Sequence, residues 1–234
     1  MVHEHPGALL REPTDLATGS GGPYQVFTPY YRKFLQTRRP QNLLPIPEWS
    51  GGYGLPVPSC GLDALSLLPA GDRVAGLRAI WQPGEGGARA VLDRFLATGL
   101  AGYEHRRDVP HLAGTSALSA HLHWGELSPR TVWQAAEAVD SAVGVPFLRQ
   151  LVWREFAHHL LHHFPHTTEE PLREKFRAFA WDGDPALLAV WQRGQTGYPF
   201  VDAGMRQLWS TGWMHNRVRM VAASFLVKHL LLPW

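Results

Sequence analysis

The sequence predicts an all-α protein, and three observations carry that prediction. Apolar residues recur at helical spacing from Ala88 onward, Ser128-Pro129 reads as a helix start ahead of a long amphipathic stretch, and alternation of apolar and polar residues is nowhere sustained. In chain order, Pro6 to Pro58 is rich in proline and glycine with little periodicity, apart from Tyr30 to Gln36, a short helix after Pro29. Ala88, Val91, Leu92, Phe95 and Leu96 then follow the i, i+3, i+4, i+7, i+8 pattern of an amphipathic helix. Phe147 to Leu161 carries a second apolar stripe through Leu148, Leu151, Val152, Phe156 and Leu160. Gly183, Pro185, Gly194, Gly197, Pro199 and Gly212 punctuate the remaining helical stretches. The reading divides the chain into a connector with the first short helices, 1–85, and a helical domain, 86–234.

Composition bounds the function classes. The 234 residues are 45% hydrophobic and 18% charged, which suits a compact globular core and not a disordered tail. A single Cys60 rules out an intramolecular disulfide framework and a cysteine-based zinc site, and places the protein in a reducing cytoplasm. The longest apolar run, Met220 to Val227, ends at Lys228-His229, short of a bilayer span, so no membrane role is expected. A net charge of +2 does not announce a nucleic-acid binder, whereas ten tryptophans are unusual, since such rings fill cores, stack on bases or relay electrons.

Three constellations point to chemistry. On the helix over 147–161, the face opposite the apolar stripe aligns Gln150, Trp153, Arg154 and Ala157, joining an amide, a flat aromatic and a guanidinium. An amide bonds a base edge, an indole stacks on a base and a guanidinium grips phosphate, as a pocket for an extruded base requires. From Trp213 to Met220 a helical rotation sets Asn216, Arg219 and Met220 on one side with Arg217 flanking. Because an unpaired buried guanidinium costs several kcal/mol, Arg219 is expected to meet a ligand or an acid such as Asp202. The turn Gly114-Thr115-Ser116-Ala117-Leu118-Ser119 presents hydroxyls and backbone N–H groups suited to a diphosphate. His158, His159, His162 and His163 have metal-ligand spacing on a helix but no carboxylate or cysteine to complete a site, so no metal is expected.

The motifs VWREFAHHL, GQTGYPFVDAGMRQL, STGWMHNRVRM and SFLVKHLLLPW together resemble the FAD-binding helical domain of DNA photolyases and cryptochromes. YEHRRDVPHLAGTSALSAHLHWGELSPRTVW is similar to that family's flavin-phosphate region, and VFTPYYRKF to the linker after its N-terminal antenna domain. The resemblance implies FAD held by Tyr103, by Thr115, Ser116, Ala117, Leu118 and Ser119 at the phosphates, and by Phe147 and Arg219 near the ring. It implies that Arg107, Gln150, Trp153, Arg154, Asn216 and Arg217 contact DNA. Gln150, Asn216 and Met220 would meet a flipped-out pyrimidine dimer, and Asn216 with Met220 favours the cyclobutane type over the 6-4 photoproduct. Trp181 and Trp234 match the outer and middle members of an electron relay. The expected partner is UV-damaged DNA, bound by a monomer in a bacterial-type cytoplasm.

The implied reaction is light-driven dimer repair by an electron from reduced FAD. Three departures qualify the resemblance. Gln150 stands where cyclobutane enzymes usually carry a glutamate, which weakens a charged hydrogen bond to the dimer into a neutral one. The apolar run Leu230 to Trp234 reads as packing under a following segment that would supply further flavin contacts. The α/β antenna domain would precede residue 1. Two alternatives stay open at this point: a cryptochrome-like photoreceptor without repair, and a degenerate fragment that binds neither flavin nor damaged DNA.

Overall fold

The computed structural model describes residues 7–37, 59–67, 74–140 and 142–233, together with Leu43 and Pro45. Among these the regular elements are helical, as the sequence predicts, with no strand. The α-helices are α1 (Phe27–Gln36), α2 (Ala75–Ile80), α3 (Glu85–Thr98), α4 (Tyr103–Arg106), α5 (Ser119–His123), α6 (Pro129–Val139), α7 (Val145–His163), α8 (Pro185–Gln192), α9 (Pro199–Thr211) and α10 (Asn216–Lys228). Proline at the first turn starts several of them, because its fixed φ suits a helix and the N–H it lacks would be unpaired there anyway. In α6 the Ser128 hydroxyl also accepts from the Arg130 N–H, and in α8 the Asp184 carboxylate accepts from Ala186.

A large core forms around α7. Phe147, Leu148, Leu151, Val152 and Phe156 pack there with Ala88, Leu92 and Phe95 of α3 and with Val132, Trp133 and Ala136 of α6. Leu10, Leu16, Phe27, Tyr30 and Phe34 join the same core, so the stretch from 8 to 36, unperiodic as it reads, is packed onto α7. Polar groups pin it. Glu155 accepts from the N–H groups of Leu10 and Arg11 at 2.8 and 3.0 Å. His159, fully buried, donates from Nδ1 to the Pro13 carbonyl at 2.9 Å and accepts at Nε2 from the Tyr24 N–H at 3.0 Å. Its two bonds fix one neutral tautomer. His163 donates from Nε2 to the same Pro13 carbonyl at 3.2 Å, so these two histidines pin the N-terminal stretch, while His158 and His162 are exposed; no group of residues suited to a metal ion occurs among the described residues.

A smaller core joins α9 and α10: Val201, Met205, Met214, Val218 and Ala222, with Trp191 and Phe225 against it. The helices cross closely at Gly204, where a Cβ would lie 2.2 Å from Val218 Cγ1, so any side chain there would push them apart. Asp202 accepts from the Thr196 N–H and hydroxyl and from the Gly197 N–H, fixing the turn before α9.

Two expectations are corrected. The helix predicted from Trp213 begins at Asn216, capped by His215, whose Nδ1 accepts from the Arg217 N–H at 3.1 Å. Only Val218, Ala222 and Leu226 of α10 are buried, so Arg219 is exposed where burial was expected, and Asp202, its expected acid, is engaged at its own turn. Beyond α10, Leu232 is buried and its N–H donates to the Leu226 carbonyl. Trp234 lies outside the described residues.

Candidate nucleotide and flavin site

A cleft of about 450 Å³ opens between α4 and the first half of α7, lined by Glu104, Arg107, Asp108, Val145, Pro146, Arg149, Gln150 and Trp153. It gathers three of the residues singled out from the sequence, Arg107, Gln150 and Trp153. Gln150 reaches the cleft from an outward position of α7 and donates from Nε2 to the Pro146 carbonyl one turn back, at 3.2 Å. Trp153 is 45% exposed and held flat against Phe27 of α1, with ring centroids 3.6 Å apart and planes within 8°. One indole face is thus fixed by stacking, which preorganises the side chain. Arg149 covers Phe27 and Tyr31 at 5.6 and 5.4 Å, extending the arrangement with a cation.

At the rim, Asp108 gathers two arginines. Arg217 donates from Nε and Nη2 to the two carboxylate oxygens, both at 2.8 Å, and Arg107 donates from Nε at 3.3 Å while lying over the Tyr103 ring. The hydrogen bond from Arg217 is the main reason the Asp108 carboxyl is held below the usual range, and Arg217 is correspondingly pushed up. Met220 Sδ lies 3.7 Å from Arg217 Nη1 and 3.9 Å from Asn216 Nδ2, so Asn216, Arg217 and Met220 form one exposed group joined to the cleft through Asp108.

Other expected residues fall elsewhere. Arg154, four residues and about 6 Å of helix beyond Gln150, does not join Trp153 in the cleft: it donates to the Ala8 carbonyl at 2.8 Å and lies 3.4 Å from Glu155. The expectation that it shares one binding face with Gln150 and Trp153 is corrected, because its long side chain is drawn to the N-terminal stretch. Phe147 and Tyr103 are buried against each other and against Phe95, at 4.7 to 5.7 Å, so packing occupies their rings. Trp181 packs on Phe179, away from the cleft lining.

The turn Thr115 to Ser119 is partly exposed except for Leu118, and does not line the cleft. Two features test whether it suits a phosphate. Ala117 adopts a left-handed φ of 54°, a strained state for a residue with a Cβ, and a Cβ at Gly114 would lie 2.4 Å from the Arg106 carbonyl oxygen. The loop is therefore held in a defined bend against α4, with the hydroxyls of Thr115, Ser116 and Ser119 in its exposed or half-exposed part. That donor set fits a diphosphate.

Sequence reasoning missed Asp108, Arg149 and Phe27. Asp108 is legible as the acid after Arg106-Arg107, Arg149 as the i−4 neighbour of Trp153, and Phe27 only as the first letter of an aromatic run. None of these signals foretells the contact across the chain that each makes.

Comparison with known proteins places the chain. Residues 147–234 match the family described as the FAD binding domain of DNA photolyase. The whole chain aligns at 44% identity with the deoxyribodipyrimidine photo-lyase of Agrobacterium fabrum, covering 50% of it, and at 36% identity with Cryptochrome-2 of Arabidopsis thaliana, covering 41% of that protein. The crystal structure of a bacterial class III photolyase from Agrobacterium tumefaciens superposes with a TM-score of 0.86 at 44% identity, over 97% of this chain and 48% of that one. The chain spans about half the length of the curated relatives it matches. A helical fold with these matches defines a flavin-binding domain. Along its whole length the chain is similar to a part of DNA photolyases and cryptochromes that includes their FAD-binding domain.

Proposed function

We propose that this chain supplies the flavin and DNA contacts of a light-driven DNA repair lyase acting on cyclobutane pyrimidine dimers. The observation that carries the proposal is the cleft in which a half-exposed, prestacked Trp153 adjoins Gln150 and Arg107, with Arg217 fixed at the rim through Asp108. A dimer turned out of the duplex would stack on the free indole face, an interaction worth about 1 to 3 kcal/mol per base. Gln150 has an amide oxygen and a second N–H left for the exposed pyrimidine edge while its other N–H bonds Pro146. Arg107 and Arg217 would hold flanking phosphates and fix the register of the strand.

FAD would be held by the turn Thr115 to Ser119 at its diphosphate and approached by Asn216 and Arg219 from α10. When bound and reduced it supplies the electron that opens the cyclobutane ring after light absorption. The part of this chain is to bind, orient and exclude water from the dimer. The protein is read as a monomer in the cytoplasm; no described helix is long and apolar enough to cross a membrane.

A second reading, a flavin photoreceptor without repair, is favoured by the likeness to Cryptochrome-2 and by the neutral Gln150 in the cleft. One experiment separates the two. The chain is mixed with reduced FAD and an oligonucleotide carrying a single cyclobutane thymine dimer and exposed to blue light. The repair reading expects intact thymines to reappear only in the light; a flavin that responds to light while the dimer persists favours the photoreceptor.

A further inference from the structure

We propose that Asp108 is a positioning residue for DNA, holding the guanidinium groups of Arg107 and Arg217 so that their remaining N–H groups face phosphate at the mouth of the cleft. The inference rests on the DNA-binding reading above and adds to it a residue that touches no DNA itself. Asp108 follows α4, and Arg217 lies in the first turn of α10, 109 residues further along. Their fork-to-fork pair, with both distances at 2.8 Å, is the geometry that limits a guanidinium to one orientation.

The donor count leaves room for a ligand. The pair uses Nε and one Nη2 hydrogen of Arg217, and one Nη1 hydrogen donates to Met220 Sδ at 3.7 Å, so one hydrogen on each Nη remains for an oxygen acceptor. Arg107 gives Asp108 its Nε alone and rests on the Tyr103 ring, so its two Nη groups have no oxygen acceptor among the described residues. Two arginines from separate parts of the chain are thereby brought to one carboxylate, and the trio keeps an excess of positive charge. Left unpaired, two such cations would repel each other and each would sample many rotamers.

Charge and positioning make opposite demands here. Asp108→Asn removes a negative charge next to a polyanion's path and raises the formal net charge above the native +2, so simple electrostatics calls for tighter DNA binding. Positioning calls for weaker binding. The test measures fluorescence anisotropy of a dimer-containing oligonucleotide with the full chain, its Asp108→Asn variant and its Asp108→Glu variant at several salt concentrations, with melting curves to check that each folds. Asp108→Asn is expected to bind about tenfold more weakly, and the slope of log K against log salt to shrink by about 0.9 for each phosphate that is no longer neutralised. Asp108→Glu, which keeps the carboxylate, is expected to recover part of the affinity.

Equal or tighter binding by Asp108→Asn with an unchanged salt slope, in a wild type that does prefer the dimer, overturns the role of Asp108 alone. A wild type indifferent to the dimer overturns the DNA reading and this inference with it.

Discussion

The α7 region and the α9–α10 region solve the same problem with the same residue types at different ranges. Each buries one carboxylate and one histidine that accept backbone N–H bonds: Glu155 and His159 in the first, Asp202 and His215 in the second. In the first region those bonds join residues 135 to 145 positions apart; in the second they span 2 to 6. The α7 pins thus close a long loop, while the α9–α10 pins cap local turns. The cost of failure follows range. Without an α7 pin the whole N-terminal stretch is freed, and without a cap one helix end frays.

The largest test of this contrast is in the cores. Phe156→Ala, which opens a hole among Phe27, Tyr30, Trp153 and His159, is expected to destabilise the protein by about 3 to 5 kcal/mol, and Met205→Ala by about 2 to 3 kcal/mol because its smaller core is nearer solvent. Chemical denaturation followed by circular dichroism measures both. Next come the pins. Glu155→Ala orphans two backbone N–H groups and is expected to cost about 3 kcal/mol, and to make the chain before α1 sensitive to protease. Asp202→Ala is expected to cost about 2 kcal/mol, with exchange of amide hydrogens rising only near Thr196 and Gly197. Equal spread of exchange in both variants would erase the distinction between long-range pin and local cap.

The smallest effect is the most discriminating, because the two carboxylates respond to pH with opposite signs. Burial pushes Glu155 up to about 7, against the backbone N–H bonds and Arg154, which pull it down. The folded state then holds more protons than the unfolded one between the ordinary value of 4.5 and about 7, so this group's stabilisation is full below 4.5 and is lost as pH rises to about 7. Burial also raises Asp202, but the bonds from Thr196 and Gly197 outweigh it and leave its carboxyl below the ordinary 3.8; its stabilisation is present above that value and lost on further acidification. His159 and His215 are lowered, chiefly by burial, so their contribution is present above 6.5 and falls as acid protonates the unfolded chain first. Glu155→Gln should therefore remove the downward trend with rising pH between 4.5 and 7 and leave the histidine-driven rise, as read from melting temperatures across that window.

The same contrast explains what is legible in the sequence. Helices α3, α6 and α7 are readable because their signals are periodic or local: the apolar stripe from Ala88 to Leu96, the Ser128-Pro129 cap, the stripe from Leu148 to Leu160. Periodicity misplaces the start of α10 because His215 is an uncommon cap that blends into the helical pattern, and the same reading turns Arg219 inward when it is exposed. Arg107, Gln150 and Trp153 are identifiable as chemistry-bearing residues, and the structure brings them into one cleft. Arg154 has the right residue type and the wrong neighbour. Contacts such as Asp108 with Arg217, or Trp153 on Phe27, join distant residues with no periodicity to announce them, and only packing reveals them.

The central claim is that this cleft receives a displaced pyrimidine dimer on the open face of Trp153. Its most direct test is the equilibrium affinity, in the dark, of the chain for an oligonucleotide with one cyclobutane thymine dimer, compared with the undamaged strand and repeated with Trp153→Ala. At least about tenfold preference for the dimer is expected, and its disappearance in Trp153→Ala as stacking worth about 1 to 3 kcal/mol is removed. Equal affinity for both strands, or a preference that survives Trp153→Ala, would contradict the claim.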